Sequence, residues 1–155
     1  MSTPTAADLE ILARQLNREP RGVLDIAWRC PNGDPGVIAT APRLPDGTPF
    51  PTFYYLTCPH LVAECSRLES SGLMAEMTAR LRADDELAAQ YLAAHEQYLA
   101  DREAVEAVPE IEGVSAGGMP NRVKCLHALL AHALAAGPGV NPFGDEVRKL
   151  LEADS

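Results

Sequence analysis

Gly22-Val23-Leu24-Asp25-Ile26-Ala27-Trp28-Arg29-Cys30 is the stretch on which the fold class turns. Val23, Asp25 and Ala27 alternate with Leu24, Ile26 and Trp28, and a period of two with a Trp marks a strand. Pro31-Asn32-Gly33-Asp34-Pro35 follows as a turn by composition. Val37 to Ala41 reads as a second strand bounded by Pro42, and Thr52 to Thr57 as a third, rich in β-branched and aromatic residues. Connections this short predict an antiparallel meander, because parallel neighbours need a crossover of roughly a dozen residues or more.

On either side of the strands the pattern is helical. Thr5-Ala6-Ala7-Asp8 has the logic of a capping box, and Leu9, Leu12 and Leu16 give the next helix its apolar spacing. Pro59 suits a first helical position, with Leu61, Val62, Cys65 and Leu68 as the stripe and Gly72 as the break. Leu73 to Leu81 is a short helix, and Asp84-Asp85-Glu86 places acids at the start of a longer one running to about Ala104. His95, beside Glu96 and Gln97, reads as part of a solvated face. Asn141-Pro142 caps a last helix to Leu151. The expected architecture is α+β: a small three-stranded antiparallel meander near the N-terminus packed on a mainly helical remainder, in a single domain over residues 1–155.

Composition narrows the function classes. A chain of 155 residues, 46% hydrophobic and 23% charged, has the makings of one ordinary core. No apolar run of about 18 residues exists, so no membrane span is expected. Met1-Ser2-Thr3-Pro4-Thr5 lacks a basic start and an apolar signal core, which predicts a cytoplasmic protein. A net charge of −9 argues against broad nucleic-acid binding.

The chemistry gathers around Gly117-Gly118-Met119-Pro120-Asn121-Arg122-Val123-Lys124-Cys125-Leu126-His127-Ala128-Leu129-Leu130. This stretch is expected to form a central helix starting after Pro120. Its first N–H groups lack intrahelical partners, Gly117 and Gly118 allow close backbone approach, and Arg122 and Lys124 add positive charge at an already positive helix end. An anion such as phosphate suits that end, with Arg29 and Arg43 joining if the sheet end faces it. The alternative is that these cations pair with surface acids. The stiff loop Pro42 to Pro51, with four prolines in ten residues, presents Arg43 and Asp46 either to a ligand or simply as a rigid connection. His127 is the proton-transfer candidate, its ordinary pKa lying near neutrality.

The four cysteines have two readings. Cys30 ends the first strand and Cys58 the third, so both lie at one end of the sheet. With strand order 1-2-3 they stand two spacings apart, roughly 9.6 Å, whereas tetrahedral zinc needs sulfurs about 3.8 Å apart. Cys125 completes a set if the central helix points that way, and His60 is the more reachable fourth ligand. On a continuous helix Cys125 and His127 diverge by about 200°. The other reading is that the thiols are small buried hydrophobes, Cys65 above all.

The chain resembles the bacterial domain-of-unknown-function family 501 across nearly its whole length. The resemblance is carried by Arg29-Cys30-Pro31-Asn32-Gly33, Thr40-Ala41-Pro42-Arg43-Leu44, Pro45 to Thr52, Leu56-Thr57-Cys58-Pro59, Ser66-Arg67-Leu68-Glu69, Arg122 to Ala128 and Asn141-Pro142. It implies no established activity. Genes of this family often neighbour ones resembling exopolyphosphatases, enolase and septum-formation proteins, which is association rather than mechanism. Three functions therefore stand open. The first is a binder of a phosphate-bearing or other anionic small molecule, with catalysis undecided. The second is a module holding zinc or an iron–sulfur cluster. The third is a non-catalytic protein partner of a phosphate-metabolism or septum-formation protein.

Overall fold

Strands β1 (Val23–Arg29), β2 (Pro35–Thr40) and β3 (Tyr54–Leu56) form an antiparallel sheet in the order β1-β2-β3. The computed structural model describes residues 1–153. Register pairs Ile26 with Ile38 and Ile38 with Tyr55. All of β2 is buried, because it is the middle strand and both faces of the sheet are covered. Val37 and Ala39 enter the main core, while Ile38 meets Leu12 and Ile26 in a smaller one on the opposite face. Leu12 belongs to α1 (Ala6–Leu16), whose N-terminus carries the expected capping box between Thr5 and Asp8.

Helices α2 (Pro59–Glu69), α3 (Leu73–Ala83), α4 (Asp85–Glu103), α5 (Leu126–Ala136) and α6 (Pro142–Ala153) make up the rest. The α+β class and the meander are as expected. Helix α5 is the centre: Leu126, Ala128 to Ala133 and Leu134 are all buried, as befits a helix apolar all round. It packs on β3, α6 and α2. Gly144 permits the crossing with α6, since a Cβ there would run into the Leu129 carbonyl and the Ala133 methyl. Asn141 Oδ1 accepts the Gly144 N–H at 3.0 Å, so the expected cap of α6 forms.

Two expectations change. Helix α5 begins at Leu126, not just after Pro120. The intervening residues form a closed loop in which the Gly118 carbonyl accepts from Asn121 and Arg122 N–H and the Gly117 carbonyl accepts from Lys124 N–H. The Arg122 carbonyl accepts from the Tyr91 hydroxyl, and Val123 N–H donates to Thr78 Oγ1. Tertiary partners thus occupy the groups that a helix would have used. His95 is the other correction: it is buried, not solvated, with Nδ1 at 2.7 Å from Ser115 Oγ.

Candidate functional site

Cys125 is the N-cap of α5, in extended backbone (φ −147°, ψ 110°). A cap residue does not obey the helical wheel. Its Sγ therefore turns to His127, lying 4.0 Å from Nδ1, where a continuous helix would have held the two side chains apart. Glu69, the last residue of α2, completes the group: its Oε2 accepts the Leu126 N–H at 2.8 Å and lies 2.9 Å from His127 Nδ1. A carboxylate at the C-terminal end of its own helix is unfavourable there, and the free N–H groups of α5 offset that. The helix terminus expected to receive an external anion has an internal one.

The other ring nitrogen fixes the imidazole. His127 Nε2 lies 3.1 Å from the Val62 carbonyl and 3.3 Å from Ser66 Oγ; a carbonyl only accepts, so Nε2 carries a proton. Contact with Cys125 and with the Glu69 carboxylate pushes the imidazole pKa up to about 9, against the effect of burial. The His127 and Glu69 side chains are about a quarter exposed, at 25% and 24%. Cys125 and His127 line a cleft of about 540 Å³, whose walls include Gln15, Leu16, Thr52, Tyr54, Tyr55, Leu56, Thr57, Val62, Gly117 and Ala128. No arginine or lysine lines it. A cleft of similar volume, about 550 Å³, between α4 and α6 is lined by Asp145, Glu146, Lys149 and mostly small or polar neighbours, without a thiol or imidazole.

The remaining sequence candidates are dispersed. Arg29 clamps Asp8 with two hydrogen bonds of 2.9 and 2.8 Å and does not reach α5. Arg43 pairs with Glu110 at 2.9 Å and bonds the Gly47 carbonyl, while Asp46 accepts from Thr48 N–H. Their loop is thus closed on itself and on the residues after α4. Arg122 and Lys124 are exposed and do not line the cleft. Gly117 and Gly118 have positive φ, and a side chain on either would collide with Leu129 or with the Arg122 carbonyl. Their freedom serves the loop; Gly117 also lines the cleft beside Cys125, whereas Gly118 does not.

The cysteines divide. Cys30 and Cys58 both neighbour Gly36 of β2. A Cβ at Gly36 would overlap the Trp28 ring and approach Cys30 Sγ to 3.2 Å. The Gly36 carbonyl also accepts from Thr57 and, at 3.4 Å, from Cys58 N–H. Burial first, and the hydrogen bond with Cys58 second, push the Cys30 thiol up to about 12. His60 is exposed and lines a neighbouring cleft with both thiols. Cys65 is fully buried in the main core, as packing predicts. Among the described residues, the group whose three potential ligand atoms lie within 4.8 Å of one another is Glu69, Cys125 and His127, not Cys30, Cys58, His60 and Cys125.

Sequence reasoning gave Glu69 no role. Its signal was an acid at the C-terminal end of a helix, where a base is the favoured charge. Arg102 also escaped notice: it is buried and donates to the carbonyls of Pro51, Ile111 and Val114 at 2.6 to 2.9 Å. That pins the proline-rich loop to the residues after α4, including the 3-10 turn Pro109–Ile111.

Among the described residues, no helix is long and apolar enough to cross a membrane. No curated protein and no solved structure matches the chain. A family model does match, over residues 26–149, a span that takes in the sheet from Ile26 onward, Glu69, Cys125 and His127. The chain belongs to the protein family of unknown function DUF501.

Proposed function

We propose that the chain is a small-molecule-binding protein that takes its ligand in the cleft at the start of α5, with Cys125 and His127 as the polar groups that engage it and Glu69 supporting His127. The observation that carries this reading is that Cys125 and His127 line a cleft of about 540 Å³ with largely apolar and aromatic walls, with Glu69 in contact with His127. That combination of apolar wall and a few convergent polar groups is what small-molecule sites use. His127 is the group for proton transfer, its ring held by Val62 and Glu69. The anionic-ligand reading is less favoured, because Arg29 and Arg43 are committed to carboxylates and Arg122 and Lys124 lie outside the lining.

The test is a fragment soak of protein crystals, read by electron density, with Val62→Phe as the cleft-filling control. Fragments are expected in the cleft of the native protein and absent from it in the variant. Fragments that collect elsewhere, with the cleft empty in every data set, would rule the reading out.

A further inference from the structure

We infer that Glu69 Oε2, Cys125 Sγ and His127 Nδ1 hold one divalent transition-metal ion of the zinc type, with its open position toward the cleft. The inference rests on the cleft proposed above and names the cofactor of its polar end. Three features of the geometry carry it.

The donors are the first. Tetrahedral zinc with one sulfur, one nitrogen and one oxygen ligand needs S–N and N–O separations of roughly 3.6 and 3.4 Å. The structure has 4.0 Å between Cys125 Sγ and His127 Nδ1, and 2.9 Å between His127 Nδ1 and Glu69 Oε2. Each differs by about half an ångström from the requirement, a side-chain adjustment rather than a movement of helices.

The tautomer is the second. Nε2–H donates to the Val62 carbonyl, so Nδ1, on the side of the thiol and the carboxylate, is the nitrogen whose proton a metal ion displaces when it binds. A carbonyl behind a ligating imidazole is the usual supporting contact of a metal-bound histidine. The third is anchoring. Glu69 closes α2, Cys125 caps α5 and His127 lies in its first turn, so two packed helices fix all three donors.

The mixed donor set selects the metal. One thiolate, one imidazole and one carboxylate suit zinc or cobalt rather than magnesium or calcium, which take oxygen ligands. A single cysteine does not match the four thiolates that iron–sulfur clusters ordinarily use. Three protein ligands with a vacant fourth position is the pattern of a reactive rather than a purely structural site.

The test uses the full chain, stripped of metal and titrated with zinc(II) or cobalt(II) alone. About one equivalent should bind, and cobalt should give a thiolate-to-metal charge-transfer band. Cys125→Ser should abolish that band. Glu69→Gln, which keeps an acceptor for Leu126 N–H, and His127→Gln should each weaken zinc binding by more than roughly a hundredfold, the upper end of the cost of losing a mere outer-shell partner. Cys30→Ser/Cys58→Ser should change nothing, and circular dichroism confirms that each variant is folded. Absence of a cobalt spectrum in the native chain would overturn the inference. So would a band that survives Cys125→Ser and vanishes in the Cys30/Cys58 double variant. Fragments still bound in the cleft of metal-free protein would leave the binding proposal standing when the metal inference falls.

Discussion

Glu69 Oε2 lies 2.8 Å from the Leu126 amide nitrogen and 2.9 Å from His127 Nδ1. One carboxylate oxygen therefore caps the central helix and orients the imidazole beside the cleft. Fold and site share this atom, and changes at Glu69 act on both.

Glu69→Ala should lower stability by about 1–2 kcal/mol, the scale of losing a helix cap together with a favourable dipole charge. Glu69→Gln should cost less, because an amide oxygen still accepts from Leu126. Urea denaturation of the two variants checks the ranking; equal losses would mean that the charge, not the cap, matters to the helix.

Asp8 and Arg29 predict an acid-labile contribution. The Arg29 guanidinium holds the Asp8 carboxyl well below the usual carboxylate range. A depressed folded pKa means that the unfolded chain takes up the proton first, so the contribution is complete above about pH 4 and fades as pH falls below it. Asp8→Asn should cost on the order of 2 kcal/mol at pH 7, the scale of charge-assisted hydrogen bonds. Its deficit against the native chain should shrink steadily below about pH 4 in denaturant titrations.

His132 adds a second pH dependence at milder acidity. It is fully buried, Asn141 Nδ2 lies 3.1 Å from its Nδ1, and its ring stacks on Tyr54. Burial pushes its pKa down to about 4. Between about pH 6.5 and 4 the unfolded chain therefore binds the extra proton, and stability falls as pH falls across that window, by up to about 3 kcal/mol. His95, also lowered by burial, adds to the same slope. His132→Leu should flatten the stability–pH curve in that range without abolishing it; an unchanged slope would show that His132 titrates normally.

Gly36→Ala should destabilise by about 1–3 kcal/mol through overpacking against Trp28, because a Cβ there has no room. Tryptophan emission should shift with it, Trp28 being the single Trp of the chain. A fully native melting temperature would mean that the sheet yields more easily than its packing suggests.

Strands and helices were legible because their periods are strong: the alternation in Val23–Arg29, the stripe ending in Cys65 and Leu68, the Thr5–Asp8 box and the Asn141 cap all appear where the residues indicate. The start of α5 was not legible. Nothing local says that Tyr91 takes the Arg122 carbonyl and Glu69 the Leu126 N–H, and those distant partners stop the helix from extending back to Pro120. The site followed the same boundary. With Cys125 inside the helix its thiol points away from His127; with Cys125 as the cap the two meet. Cys30 and Cys58 show the same limit, since strand order alone separates them and nothing local says that both neighbour Gly36. The charges misled for a simpler reason: Arg29 and Arg43 find carboxylates far away in sequence, Asp8 and Glu110.

The most direct measurement is the X-ray absorption fine structure of the zinc-loaded protein, which counts the atoms around the ion. The account predicts one sulfur at about 2.3 Å and the remaining ligands nitrogen or oxygen at about 2.0–2.2 Å, as Cys125, His127 and Glu69 would supply. Two sulfur neighbours would place the ion at Cys30 and Cys58 instead and contradict it.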